Sequence, residues 1–246
     1  MNVGKIYDII NEFAPFKTAL DYDNVGIMIG SRETEVRKIL VSLDCSMAVA
    51  EEAKDIGAEL IVTHHPLIFR PLYRVDSDSA EAFLLRNFLS LISAHTNIDL
   101  SPLGTGQYLA EALGLKGITA AGDILIGELP EEMTADEFLD RVKKILSAEK
   151  IRYTDGKARL KKIALCPGSG GEFWDEARAA GADAYLTGDV KHNFFISAAD
   201  RKFMLIDAGH YETEKIYITR FADILREKTD CEITVSKAEK RPFNIR

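Results

Sequence analysis

The sequence predicts an α/β protein of two similar lobes built on mostly parallel sheets. Short apolar, β-branched runs alternate with amphipathic segments of helical period, which is the pattern of strands joined by covering helices. A helix-strand unit also occurs twice in the chain, the mark of an internal repeat. At 246 residues, with 46% hydrophobic and 28% charged side chains, the composition is that of an ordinary globular protein.

Strands are expected at Ile39 to Leu43, Leu60 to Thr63, Leu91 to Ala94, Ile163 to Leu165, Ala184 to Thr187, Met204 to Ile206 and Glu232 to Val235. Helices fall between them. Ser46 reads as the N-cap of a helix closed at Gly57, and Thr134 with Glu137 forms a capping box for a helix running to about Ser147. His210 stands at the entry of a helix directed toward Lys228.

EAKDIGAELIVT from Glu52 and EARAAGADAYLT from Glu176 are related by a shift of 124 residues (176 − 52). Each reads as a helix closed by glycine, then a strand ending in threonine, although two helix-strand units can look this alike by chance. Beyond the threonine the copies diverge, to His64-His65-Pro66 in one and Gly188-Asp189-Val190 in the other. The predicted division is residues 1–122 and 123–246, with the boundary near Gly122 to Glu132 and no inserted middle domain.

A chain of this size buries roughly 70% of its unfolded surface and needs neither disulfide nor metal to hold a core. The net charge of −8 makes nucleic acid and anionic membrane poor partners, while leaving room for a small phosphorylated ligand at a local basic patch. Three separated cysteines, Cys45, Cys166 and Cys231, point to reduced thiols and a cytoplasmic protein. Neither the opening MNVGKIYDIINEFAPF nor any later stretch approaches the ~18 apolar residues of a membrane span.

Four of the five histidines fall where predicted strands end, the side of an open α/β sheet on which ligands bind. His64 and His65 are adjacent; leaving a strand they point to different sides, which suits two neighbouring ions better than one, though a plain turn before Pro66 fits the dipeptide equally well. His95 and Asp99 are four apart, so Asp99 is a candidate ligand or bridge, and His95 a ligand or an orienting neighbour; a turn or capping aspartate reads the same. His210 and Glu214, at i and i+4, stack on one helix face as a ready half-site, or form an ordinary polar first turn. Imidazole and carboxylate suit Zn, Fe, Mn, Co or Ni. Among lesser features, Gly104-Thr105-Gly106 and Gly168-Ser169-Gly170-Gly171 read as helix-entry turns, and Asp189, Lys191 and His192 as either cleft lining or turn structure.

DYDNVGIMIGS, IVTHHPLIF, AHTNID, YLTGDVKHN and IDAGHYETE occur in the order seen in the Nif3-like family, also called DUF34 or the GTP cyclohydrolase I type 2 homologs. The resemblance spans Asp21 to Glu214. It implies two interlocked α/β lobes around a dinuclear centre of two divalent metal ions, with His64, His65, Asp99, His210 and Glu214 as ligands, and a homohexameric ring. It leaves His95 as a near neighbour. Tyr22 stands where relatives commonly have tryptophan, and the loop from Leu100 to Gly114 departs from the usual Gly-Gly-Val-Asn run, which bears on substrate contacts more than on metal. The expected function is a metal-dependent hydrolase of the GTP cyclohydrolase type acting on a small phosphorylated or nucleotide substrate; the alternative is a metal scaffold, metal chaperone or regulatory protein without catalysis.

Overall fold

The computed structural model describes residues 1–244. In chain order the first elements are α1 (Val3–Phe13), β1 (Gly26–Ile29), β2 (Lys38–Ser42), α2 (Met47–Asp55), β3 (Leu60–Thr63), α3 (Ala80–Arg86), β4 (Ser90–Ser93) and α4 (Thr96–Asp99). There follow α5 (Thr105–Ala112), β5 (Lys116–Ala121), β6 (Ile124–Thr134), α6 (Ala135–Leu146), β7 (Arg152–Tyr153) and β8 (Arg159–Leu165). The chain ends with α7 (Trp174–Ala179), β9 (Ala184–Thr187), α8 (His192–Asp200), β10 (Met204–Asp207), α9 (His210–Lys228) and β11 (Glu232–Val235).

The chain divides into two compact units, Met1–Gly104 with Ile218–Asn244, and Thr105–Tyr217. This differs from a division at Gly122. The segment after Gly122 is half of a β5–β6 hairpin inside the second unit, and β11 adds to the sheet of the first beside β2. The boundary therefore falls inside α9.

In the first unit the strand order is β1-β4-β3-β2-β11, with β4, β3, β2 and β11 parallel and β1 antiparallel at the edge. In the second the order is β5-β6-β8-β9-β10-β7, where β8, β9 and β10 are parallel and the outer pairings are antiparallel. The class is mixed α/β with two sheets. Four strands run in matching order in the two units, β1-β4-β3-β2 and β7-β10-β9-β8.

The parallel strands read as unbroken apolar runs because both their faces are covered. In the second unit Ile163, Leu165, Ala184, Leu186, Met204 and Ile206 face one core with Phe138 and Val142 of α6. The alternate residues Ala164, Tyr185 and Leu205 face another with Trp174 and Phe203. In the first unit Leu40, Ile61 and Leu91 from three adjacent strands pack with Val49 and Ala53 of α2 and Leu84 of α3. The caps expected from sequence are present: Ser46 accepts from Val49 N, and Thr134 and Glu137 form the reciprocal capping box. Among the described residues no helix is long and apolar enough to cross a membrane.

Candidate metal centre

Because β2, β3 and β4 are adjacent and parallel, their carboxyl ends lie side by side. Those ends carry Asp44, then His64 and His65, then His95. β1 runs the other way with Gly26 opposite Ser93, so the loop before it delivers Asp23 to the same end. Residues far apart in the chain meet here through strand order alone.

The three imidazoles form one cluster, with a ligating nitrogen from each of His64, His65 and His95 within 4.8 Å of the others. Each ring is held through Nδ1. His64 Nδ1 lies 3.0 Å from Ala94 O, His65 Nδ1 2.9 Å from Asp44 Oδ1, and His95 Nδ1 3.0 Å from Asp23 Oδ1. A carbonyl or carboxylate only accepts, so in a neutral ring this contact favours the proton on Nδ1 and leaves Nε2 as the nitrogen that can ligate a metal. His64 is fully buried, and its Nε2 is 3.7 Å from Asp99 Oδ1. Asp99 reaches that place on the single turn of α4, its N–H donating to His95 O at 3.1 Å.

The Asp23 side chain is buried, which opposes its charge, but the hydrogen bonds from His95 and from Thr96 N and Oγ1 outweigh that penalty and bring its carboxyl down to about 2. It stands as a fixed anion behind His95.

In the second unit the parallel strands β8, β9 and β10 present their carboxyl ends in the same manner, carrying the Gly168 turn, Gly188-Asp189, and Gly209-His210. His210 opens α9, with Nδ1 2.7 Å from Asp189 Oδ2 and Nε2 3.0 Å from the buried Glu214 Oε2. With the ring proton on Nδ1, two electron-rich atoms, Nε2 and Oε2, face one another at that distance. A shared proton or a cation must reconcile them.

Two glycines are required by this packing. A Cβ on Gly188 would lie 2.5 Å from His210 N. A Cβ on Gly168, at φ +68°, would overlap Glu214 Oε1. Thr213 Oγ1 accepts from Gly168 N at 3.0 Å and pins the turn to the start of α9. Asp207 ties the neighbouring exits, accepting from Gly209 N and Val190 N and pairing with Arg152.

A family model described as Duf34/NIF3 (NGG1p interacting factor 3) matches residues 1–242. The chain belongs to the DUF34/NIF3 family. A Clostridium perfringens protein named GTP cyclohydrolase 1 type 2 homolog is 37% identical over 261 aligned positions, covering 100% of both chains. A Campylobacter jejuni protein of the same name is 36% identical over 96% of this chain and 98% of its own. The crystal structure of Staphylococcus aureus protein SA1388 matches with a TM-score of 0.92 at 26% identity, covering 100% of this chain and 99% of that one.

In this DUF34/NIF3 chain, the residues read as ligands from sequence group by unit. His64, His65 and Asp99 lie together in the first, with His95 inside their cluster, and His210 and Glu214 pair in the second. Asp189, left open between cleft and turn, contacts His210, whereas Lys191 and His192 begin α8. Three participants escaped sequence reasoning. Asp44 sits directly after a strand, Asp23 lies within DYDNVG, and Gly168 opens the Gly-Ser-Gly-Gly run; each signal was visible, but only strand order gives it meaning. Gly104 serves packing, since a Cβ there would strike Ile98 O.

Proposed function

We propose that this protein binds two divalent metal ions through His64, His65, Asp99, His210 and Glu214, and that it acts as a metal-dependent hydrolase. The observation that carries the reading is a shared geometry: His64, His65, His95 and His210 all have Nδ1 beside an oxygen acceptor, which turns Nε2 toward the site, and two of those Nε2 atoms face carboxylates. A set of neutral imidazoles and carboxylates fits Zn, Fe, Mn, Co or Ni, with availability deciding among them.

Paired divalent ions supply a nucleophilic water at neutral pH and polarise a carbonyl, imine or phosphoryl oxygen. The chain's own residues hold the donors at strand ends or on the helices that follow them, where little ordering is left to be paid on binding. The relatives' name supports a nucleotide or other small phosphorylated substrate, and the net charge of −8 argues against nucleic acid. A homohexamer in the cytoplasm completes the proposal.

Elemental analysis of protein purified without chelator is expected to give about two divalent ions per chain. His64→Ala and Glu214→Ala should each lower the total, while His192→Ala leaves it unchanged. Metal-loaded protein is then incubated with nucleotides, phosphomonoesters and cyclic amides. Turnover abolished by chelator supports a hydrolase; full occupancy with no turnover replaces it with metal storage or delivery, and no metal after reconstitution sinks both. Light scattering at micromolar concentration tests the hexamer.

A further inference from the structure

We infer that Asp189 is a positioning residue for His210, and that Asp44 and Asp23 do the same for His65 and His95, so that carboxylates behind the imidazoles set metal affinity. The inference rests on the metal-binding reading above and adds what orients two of its ligands, His65 and His210, and their neighbour His95.

A neutral imidazole has one N–H and one lone pair, and a hydrogen bond at one nitrogen decides which is which. Asp189 Oδ2 at 2.7 Å, Asp44 Oδ1 at 2.9 Å and Asp23 Oδ1 at 3.0 Å all stand at Nδ1 of their rings. They come from three separate loops, following β9, following β2 and preceding β1. An anionic acceptor also makes the opposite nitrogen a stronger donor. Loss of such a partner lowers metal affinity about 10–100-fold.

Asp189 carries a further sign of its task. Its φ is +51°, a left-handed conformation that side chains adopt at a cost and that clusters at functional positions. The backbone is held there by Gly188 N donating to Gly168 O at 2.9 Å and Val190 N donating to Asp207 Oδ2 at 3.1 Å. Glycine would suit this φ without strain. A carboxylate at this position therefore carries something glycine cannot, and its side-chain hydrogen bond is to His210.

The test uses Asp189→Gly, which relieves the backbone and removes the carboxylate, and Asp189→Asn, which tolerates the same φ and keeps an amide oxygen for Nδ1–H. Nitrogen chemical shifts of His210, assigned with His210→Gln, are read in metal-free protein, and Zn2+ affinity by chelator competition. Expected for Asp189→Gly are a mixed His210 tautomer and Zn2+ binding weakened about 10–100-fold. Asp189→Asn should restore the Nδ1–H tautomer and most of the affinity. Asp44→Ala and Asp23→Ala should act likewise on His65 and His95. An Asp189→Gly protein whose His210 stays Nδ1–H and whose affinity stays within about twofold of the parent overturns the inference, being far short of the loss such partners cause. If the parent protein binds no Zn2+, the metal-binding reading fails, and the tautomer measurement still decides the role of Asp189.

Discussion

Gly168→Ala adds one methyl group where the backbone has φ +68° and the new Cβ would overlap Glu214 Oε1, with His210 Nε2 3.5 Å away. The left-handed backbone costs about 1–2 kcal/mol for a residue with Cβ. The overlap can be relieved by turning the Glu214 carboxylate, because its oxygen is the far end of a side chain. The damage should therefore divide, with backbone strain appearing in stability and displacement of Glu214 appearing in metal affinity. Gly57→Ala is the control, since Gly57 has φ +71° and nothing within 4 Å of its added Cβ. Both variants should lose about 1–2 kcal/mol in urea unfolding, a melting shift of roughly 2–8 °C for a chain of this length. Only Gly168→Ala should also lose metal affinity, by about tenfold or more, as expected when a donor is misplaced. Equal metal affinity in the two variants would refute the placement of Glu214 as a donor behind the Gly168 turn.

Phe138, fully buried in the larger core of the second unit, should cost about 3–5 kcal/mol on truncation to alanine, and Thr134→Ala about 1 kcal/mol through loss of its cap; urea midpoints check both, and the reverse order would contradict the assignment of Phe138 to that core. For Glu52, burial opposes ionisation, but hydrogen bonds from Ser236 Oγ, Lys237 N and Ala238 N prevail and hold its carboxyl below the ordinary 4.5. A depressed folded pKa means that its contribution is complete above the unfolded value and is lost as pH falls through the folded one. Glu52→Gln should accordingly flatten the stability profile below about pH 4.5, and parallel profiles for the two proteins would count against the clamp. Burial pushes the Cys45 thiol up to about 12, so at pH 8 it should alkylate in urea but not in the native protein.

Elements that were legible in the sequence are those whose pattern is local. β3, β9 and β11 have the bounds expected from their β-branched runs, and α2 and α6 begin at the caps expected of them. β5 and β6 were not legible for a physical reason. β5 is an exposed edge with no alternation, and β6 carries Pro130 and an irregular register between Glu128 and Met133, so both are made strands by their partners. The candidate ligands were visible because chemistry marked them. Asp23 was not, because its link to His95 spans 72 residues and depends on β1 running antiparallel to β4.

The shift of 124 residues that relates Glu52 to Glu176 also relates β3 to β9, and β2 to the last four residues of β8 together with Cys166. It places Asp44 opposite Gly168 and the pair His64-His65 opposite Gly188-Asp189. In the first unit the middle strand leads into two of the three imidazoles, His64 and His65, and Asp44 after its neighbour β2 holds one of them. In the second the roles are exchanged, the middle strand supplying the carboxylate of Asp189 and its neighbour β10 leading into the imidazole of His210. The Glu214 carboxylate then fills the space against the turn after β8, which leaves room only for glycine at the position equivalent to Asp44. The repeat runs up to its threonines, with Glu, Ala, Gly, Ala and Thr coinciding in the two copies. It diverges one residue later because the same strand ends are used to present donors of different kinds.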